Sequence, residues 1–243
     1  MERIAAYSGT KNIYKDMLTS AKSLIANSAV DKVHMFIEDD KMQEEPLPDI
    51  IVCHNVKNQK YFKPDGPNMT SPFSYMAMMR IALCHELPNN TVLSLDADTI
   101  VKNDCTDIWD IDLDGYYFSS TPEHHRTKHG ILYCNHGVVY YNLKKLRNGK
   151  ADECIQVLND CKFTWVEQDV CNCLCQGYIH EMPAKYNVTK FTVDNEKLIN
   201  PVIKHFASLP RNKWIARPEV KHWRKMSWDE IMRLHEDIVE RHK

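Results

Sequence analysis

The sequence has little glycine and no glycine-rich loop of the kind that binds phosphate. Seven of its 243 residues are glycine, and the pattern Gly-x-Gly-x-x-Gly does not occur. Loops with that pattern hold phosphate groups with their backbone amides and with the start of a helix. A phosphate group bound by this chain would instead be held by a metal ion and by cationic side chains.

Long apolar segments and an excess of positive charge are also lacking. No run of about 18 apolar residues occurs, and residues 1–7 lack a basic segment followed by an apolar one. We therefore expect neither a signal peptide nor a transmembrane segment. With 31 lysines and arginines against 33 acidic residues, the chain has no basic field to attract nucleic acid, and we expect no nucleic-acid partner.

The nine cysteines do not have the spacing of a disulfide framework or of paired CxxC metal sites. Their number is odd and they lie within helix-like and strand-like segments, which indicates free thiols in a reducing compartment. We therefore expect a cytoplasmic protein. The spacing of Cys171, Cys173 and Cys175 places them on different sides of a helix, which is more typical of buried apolar positions than of metal ligands.

The sequence does contain the alternating pattern of an α/β fold. A strand-like segment at 3–7 precedes a helical pattern at 12–26, and further strand-like segments follow at 32–37 and 50–54. This order predicts a doubly wound sheet flanked by helices. A chain of 243 residues is long enough for one large domain with its own core.

The central feature is the stretch 91–101, an apolar strand pattern that contains Asp96 and Asp98. Side chains alternate along a strand, so both carboxylates would share one side while Ala97 points away. Buried like charges need a cation, which predicts a divalent metal ion with oxygen ligands. The alternative is that both aspartates cap a solvent-exposed turn.

Two segments before this strand bear on the same site. A helix predicted at 72–86 carries Arg80 and leads into the acidic strand. The polar segment 57–71 is too long for a simple connection in a compact domain. We expect it to form a mobile loop over the site.

Later segments supply further polar candidates, each with a structural alternative. Gly137 interrupts a β-rich stretch, where glycine either lets a ligand approach the backbone or forms a bulge. A helix is predicted at 144–158, and Glu167 and Asp169 begin the next one, where acidic residues can be simple caps. His205 lies in a short strand predicted at 201–206 and, taken alone, is more typical of an ordinary polar position than of a ligand.

Five of these segments have the order and spacing of one family. Over roughly residues 3–215 the sequence resembles glycosyltransferase family 8, the retaining enzymes of the glycogenin and bacterial galactosyltransferase type. The segments are Leu93-Ser-Leu-Asp-Ala-Asp98 (the family's DxD strand), Asn135-His-Gly-Val-Val-Tyr-Tyr-Asn-Leu143 (Asn-x-Gly), Glu167-Gln-Asp-Val-Cys-Asn172 (Asp-Gln-Asp), Met182-Pro-Ala-Lys-Tyr-Asn187 (Leu-Pro-x-x-Tyr-Asn), and Lys204-His-Phe-Ala-Ser208 with Lys213-Trp214 (His-Tyr-x-Gly and Lys-Pro-Trp).

This resemblance implies an α/β protein of the GT-A fold, with a Rossmann-like mixed sheet flanked by helices. Residues 1–105 would form the nucleotide-binding half, 106–215 the sugar and acceptor half, and 216–243 a helical extension. Asp96, Asp98 and His205 would bind Mn²⁺, or else Mg²⁺, since imidazole suits manganese better. The donor would be a UDP-sugar, UDP-glucose or UDP-galactose. The acceptor is open among carbohydrates, lipids and proteins, and so is the oligomeric state.

The resemblance also assigns the residues around the donor. Arg80, Gln168 and Asp169 are implied as catalytic residues. The other implied positions are the nucleotide-binding residues Tyr7, Ser8, Asn12, Tyr14, Ala97 and Lys213, and the sugar-binding residues Arg80, Asn135, His136, Glu167 and Gln168.

The implied reaction is a retaining transfer of a hexose. Breaking the bond to the sugar leaves negative charge on UDP, so the metal ion, Arg80 and Lys213 would stabilise the leaving group. Gln168 matches the family's polar residue beneath the sugar. Because an amide is a poor nucleophile, a double displacement through a carboxylate is not expected.

Two alternatives stay open at this point. Glu167, His136 and Ser208 stand where the family usually has aspartate, a small residue and glycine, which allows a noncatalytic sugar-nucleotide binding module and leaves the donor sugar undefined. An Asp-x-Asp pair after an apolar strand also occurs in haloacid dehalogenase-like phosphatases. There the pair normally follows the first strand, whereas here at least three strand-like segments precede it.

Overall fold

The computed structural model describes residues 2–39, 46–71, 73–127, 130–195, 197 and 199–243. In this part of the chain, seven strands form one sheet and two form a short separate ladder. The strands are β1 (Ile4–Gly9), β2 (Lys32–Ile37), β3 (Ile51–Asn55), β4 (Thr91–Leu95), β5 (Thr99–Val101), β6 (Phe118–Pro122), β7 (Cys134–Asn142), β8 (Ile179–Glu181) and β9 (Ile203–His205). The α-helices are α1 (Tyr14–Asn27), α2 (Tyr75–Glu86), α3 (Leu143–Lys145), α4 (Ala151–Asp160), α5 (Val166–Leu174), α6 (Arg211–Trp214), α7 (Pro218–Lys225) and α8 (Trp228–Arg241).

The main sheet has the strand order β3-β2-β1-β4-β7-β6-β8. Strands β1 to β4 pair in parallel, while β7 runs antiparallel to both β4 and β6. Leu95, the last residue of β4, therefore lies opposite Val138 in β7. This register brings the residues just before Val138 next to the turn that leaves β4.

Helices cover both faces of the sheet because the strand residues alternate. Ala5 and Tyr7 of β1 face a core that includes α1 and Ile231 of α8. Ile4 and Ala6 face a second core built with α2, α4 and α5. This two-sided burial is what a mostly parallel sheet requires, and it confirms the predicted α/β architecture.

The predicted helix at 144–158 is wrong as a continuous element. Helix α3 ends at Lys145 and α4 begins at Ala151, with non-helical backbone between them. Gly149 has a φ of 92°, a left-handed conformation that interrupts a regular helix. The helix predicted at 72–86 has its predicted first residue outside the described residues. In the structure α2 begins at Tyr75, and the side chain of the preceding Ser74 accepts a hydrogen bond from the amide of Met76.

The segment 57–71 does not form the expected lid. Asn68 is buried, and its amide nitrogen donates to the carbonyl groups of Leu158 at 2.6 Å and Cys161 at 2.7 Å. The amide of Lys63 donates to the Asn159 side chain at 2.8 Å. These bonds hold the segment against α4, away from the cavity described below.

Two further expectations concern thiols and membranes. All nine cysteines are free, as their number and distribution predict. Among the described helices, none combines the length and the apolar character needed to cross a bilayer.

Candidate active site

A cavity of about 570 Å³ opens where β4 ends and β7 begins. Asp96 and Asp98 line it from the turn between β4 and β5, and His205 lines it from the end of β9. We call these three residues the acidic cluster. The aspartates lie in a turn, so the predicted strand alternation is not what brings them together.

Backbone pairing fixes the position of this turn. The amide of Asp96 donates to the carbonyl oxygen of Gly137 at 2.8 Å, and the amide of Phe206 donates to that of Asp98 at 2.9 Å. Thr99 lies opposite His205 in the β5–β9 ladder. A strand more than 100 residues later in the sequence thus delivers its histidine directly to the two aspartates.

The side chains of the acidic cluster are close enough to share one ion. Nε2 of His205 lies 3.4 Å from Oδ2 of Asp96 and 3.3 Å from Oδ1 of Asp98, and the three ligand atoms fall within 4.8 Å of one another. Nδ1 of His205 lies 3.0 Å from Oδ1, the side-chain amide oxygen, of Asn187. With the proton on Nδ1, Nε2 is left to bind a metal, the arrangement typical of ligating histidines.

Gly137 makes this approach of His205 possible. A Cβ atom at this position would overlap the imidazole ring of His205. The glycine was expected to let a ligand approach or to form a bulge. Its space is instead taken by a side chain of the acidic cluster.

The charges of the cluster shift the pKa values of its members. Burial alone would lower the pKa of His205, but the charge of Asp98 and hydrogen bonds to both aspartates raise it to about 9. Burial alone would raise the pKa of Asp96, but Arg80 and His205 hold it below the ordinary value. Without a metal ion, a proton on the imidazole therefore balances part of the negative charge.

Arg80 connects the acidic cluster to the next segment. Its buried guanidinium donates to Asp96 and to the carbonyl oxygen of His136, and it lies 3.7 Å from Oε1 of Glu167. Burial raises the pKa of Glu167 to about 7 despite this arginine. One guanidinium thus contacts an ionised carboxylate and a second carboxyl group that retains its proton near neutrality.

The start of α5 presents two of its three predicted polar residues to the cavity. Glu167 and Gln168 line it, whereas the Asp169 carboxylate accepts from the amide of Trp165 at 2.8 Å and from the Tyr133 hydroxyl at 2.5 Å. Val166 precedes them with a φ of 30°, unusual for a β-branched residue. Such strained backbone is found mainly at functional sites.

Gln168 is held by hydrogen bonds at both ends of its amide. Its oxygen accepts from the amide of His136 at 2.9 Å, and its nitrogen donates to the Tyr133 hydroxyl at 3.0 Å. This fixes the side chain in the cavity wall. It leaves an oriented polar group, not a mobile nucleophile, beside Glu167.

Asn135 and His136 line the cavity from the first residues of β7. Asn135 donates to Glu123 at 2.8 Å and accepts from Asn187 at 2.9 Å. His136 is buried, and burial and the nearby Arg80 lower its pKa to about 3. Its Nε2 is buried and has no hydrogen-bond partner among the described residues.

The predicted nucleotide-binding residues are brought together only in part. Ala97 lines the cavity, but the other predicted residues are not among those that line it. Tyr7 is buried and bonds Ser20, Asn12 is exposed, and Lys213 is exposed. Ser8 and Tyr14, the last two predicted residues, do not line the cavity either.

Asp16 and Arg211 also line the cavity, although neither was among the predicted site residues. Arg211 lies two positions before Lys213, the residue that the resemblance assigned to the diphosphate. Ser208 adjoins it with a φ of 63°, the left-handed conformation that glycine adopts most readily. That conformation explains why glycine is usual at this position of the family resembled.

Comparison with known proteins agrees with the resemblance seen in the sequence. The profile of glycosyl transferase family 8 matches residues 5–213. The lipopolysaccharide 1,2-glucosyltransferase of Escherichia coli (strain K12) is 28% identical over 161 residues, which covers 55% of this chain and 47% of that protein. The chain thus spans about half the length of this curated relative.

Solved structures share the fold. The glycosyltransferase GlyE of Streptococcus pneumoniae TIGR4 superposes with a TM-score of 0.72 and 19% identity over 96% of this chain and 62% of that chain. The galactosyltransferase LgtC, solved with donor and acceptor sugar analogues, gives a TM-score of 0.62 with 18% identity, covering 96% of this chain and 95% of that one. These likenesses confirm the GT-A architecture.

Proposed function

Because this chain belongs to glycosyl transferase family 8, we propose that it is a metal-dependent, retaining glycosyltransferase that moves a hexose from a UDP-sugar to an acceptor. The observation that supports this proposal most is the convergence of the acidic cluster at one cavity. Two carboxylates and one imidazole nitrogen within 4.8 Å fit a divalent ion. UDP-glucose and UDP-galactose are the proposed donors.

In this proposal Asp96, Asp98 and Nε2 of His205 hold Mn²⁺, or Mg²⁺. When bound, the ion supplies positive charge to the diphosphate of the donor. Asn187 keeps the proton of His205 on Nδ1, so that Nε2 stays available. Arg80 orients Asp96 and adds a fixed, buried positive charge beside it.

The walls of the cavity would position the donor sugar. Asn135, His136, Glu167 and Gln168 line it and supply polar groups for the hydroxyl groups of the sugar. Gln168 would lie beneath the sugar, as an amide oriented by its two hydrogen bonds. This supports attack by the acceptor on the face that UDP leaves, because Gln168 cannot act as a carboxylate nucleophile.

The cation for the outer phosphate is proposed to be Arg211, with Lys213 as the competing assignment. Arg211 lines the same cavity as the acidic cluster, whereas Lys213 does not. A guanidinium can bond two phosphate oxygens at once. Asp169 would act as a positioning residue, because its carboxylate bonds Tyr133, which in turn bonds Gln168.

UDP release from a panel of UDP-sugars, with Mn²⁺ or with a chelator, tests this function. We expect release that requires the metal ion and is lost in Asp98→Asn, with the exposed Asp114→Asn as the matched control. Full activity of Asp98→Asn would contradict the proposal. Tight, metal-dependent binding of UDP without any release would favour the noncatalytic binding module. The phosphatase alternative has no support. Asp96 follows the fourth strand, not the first, and the matching family is a glycosyltransferase family.

A further inference from the structure

Asp16 is a fully buried carboxylate that two arginines contact. Nε of Arg211 donates to Oδ2 of Asp16 at 2.6 Å, and Nη2 donates to Oδ1 at 3.1 Å. Nη2 of Arg224 also donates to Oδ1. The two arginines come from α6 and α7, about 200 residues after Asp16 in the sequence.

The two arginines are placed differently. Arg211 lines the cavity and its side chain is 50% exposed, whereas Arg224 is 33% exposed and is not among the lining residues. Arg224 also donates from Nε to the hydroxyl of Thr19 at 3.3 Å. Arg211 can therefore turn toward a ligand, while Arg224 is tied to α1 at two points.

A buried carboxylate is destabilised strongly when it loses its only cation. Because Arg224 also contacts Asp16, Arg211 can leave without exposing an unpaired charge. An anion that enters the cavity would then compete with Asp16 for one guanidinium. Such competition weakens anion binding by the free energy of the ion pair that must be given up.

We propose that Asp16 is an internal counter-anion that occupies Arg211 until the diphosphate of the donor displaces it, and that Arg224 then keeps Asp16 neutralised. The diphosphate as ligand rests on the proposed function. Asp16 thereby sets how tightly the cavity binds UDP and how readily it releases UDP after transfer.

Titrations of the protein with pyrophosphate, with UDP and with uridine, all in the presence of Mn²⁺, test this exchange. We expect Asp16→Asn to tighten pyrophosphate and UDP binding by about fivefold, because Arg211 becomes free for the phosphates. Arg224→Gln should weaken both by a similar factor, since Arg211 then becomes the last partner of Asp16. Uridine, which has no phosphate, should bind all variants equally.

Lys22→Met is the matched control. Lys22 donates to the carbonyl oxygen of Met226 at 2.6 Å and so ties α1 to the C-terminal segment without touching Asp16. A general loosening of this interface would change phosphate binding in Lys22→Met as well; the exchange predicts no change. The tightening should also disappear when Arg211→Ala is combined with Asp16→Asn.

Unchanged or weaker pyrophosphate binding in folded Asp16→Asn would overturn the proposal, and so would an equal shift for uridine. Thermal melting identifies a variant that does not fold, in which case Arg224→Gln decides alone: pyrophosphate binding that is not weakened rejects the exchange. If the wild type binds pyrophosphate but not UDP, the proposed UDP-sugar donor is rejected, and pyrophosphate still tests the exchange. Binding of neither ligand would reject both proposals.

Discussion

The two charged groups of the cavity are held in opposite ways. The acidic cluster joins two carboxylates and one imidazole, and backbone pairing between β5 and β9 fixes it. The group of Asp16, Arg211 and Arg224 joins one carboxylate to two arginines on short helices, and Arg211 is half exposed. One group has an excess of negative charge and rigid geometry, and the other has an excess of positive charge and freedom to move. In the proposed function, the first group would hold the metal ion and the second would contact the diphosphate.

We expect the largest loss of activity from Gly137→Ala, which would disturb the rigid acidic cluster and leave the arginine group intact. The new methyl group would overlap the ring of His205 and displace it from the aspartates. We expect metal-dependent UDP release to fall by about a hundredfold, with uridine binding unchanged. Since the effect acts through His205, adding Gly137→Ala to His205→Ala should cause no further loss. A double variant much worse than His205→Ala would show that the glycine has another role.

A smaller loss is expected from Asn187→Ala, which removes the acceptor at 3.0 Å from Nδ1 of His205. Partners of ligating histidines typically contribute ten- to hundredfold to metal affinity, so we expect about a thirtyfold weaker Mn²⁺ affinity by calorimetry. Asn187 also bonds Asn135, so Asn135→Ala serves as the comparison. Equal losses of Mn²⁺ affinity in both variants would mean that the hydrogen bond between Asn187 and Asn135, not the orientation of His205, supports metal binding.

The other end of the cavity is tested by comparing Arg211→Ala with Lys213→Ala. We expect Arg211→Ala to weaken UDP binding by about tenfold, the size of a charge-assisted hydrogen bond, and Lys213→Ala to change it little. Affinities measured with Mn²⁺ present decide between them. The reverse order would restore the assignment made from the family resemblance.

The smallest effect on metal binding is expected from Glu167→Gln, whose main effect is on stability. Burial raises the pKa of Glu167 to about 7 in the folded protein, so the folded state holds an extra proton above the ordinary glutamate pKa of about 4.3. Stability of the wild type is therefore lost as pH rises through this interval. The advantage of Glu167→Gln over wild type in the free energy of unfolding should be larger at about pH 8 than at about pH 4 by about 3 kcal/mol. Urea unfolding at both pH values measures the difference. The same difference at both pH values would mean that folding does not shift the pKa of Glu167.

Local patterns in the sequence predicted the parts of the fold that depend on neighbouring residues. β2 occupies Lys32–Ile37 as predicted, because four of its six neighbouring residues are buried and apolar. The helix at 144–158 failed, since a pattern of apolar residues does not reveal that Gly149 adopts a left-handed conformation. Asp96 and Asp98 were identified as a pair, although a turn and not a strand holds them together.

Contacts between distant segments could not be read in the same way. The proximity of His205 to the aspartates came only from the family resemblance, because the β5–β9 pairing leaves no local signal. Asp16 lies in a helical pattern like any polar residue, and nothing in the sequence links it to Arg211, 195 positions later. The resemblance assigned the diphosphate to Lys213, but helix α6 places Arg211 at the cavity and leaves Lys213 exposed.

The most direct test is an anomalous difference map from crystals grown with Mn²⁺ and UDP. The account predicts a manganese peak bounded by the carboxylates of Asp96 and Asp98 and by Nε2 of His205, next to the diphosphate. A peak away from His205, or diphosphate bound without any ion at the acidic cluster, would contradict it.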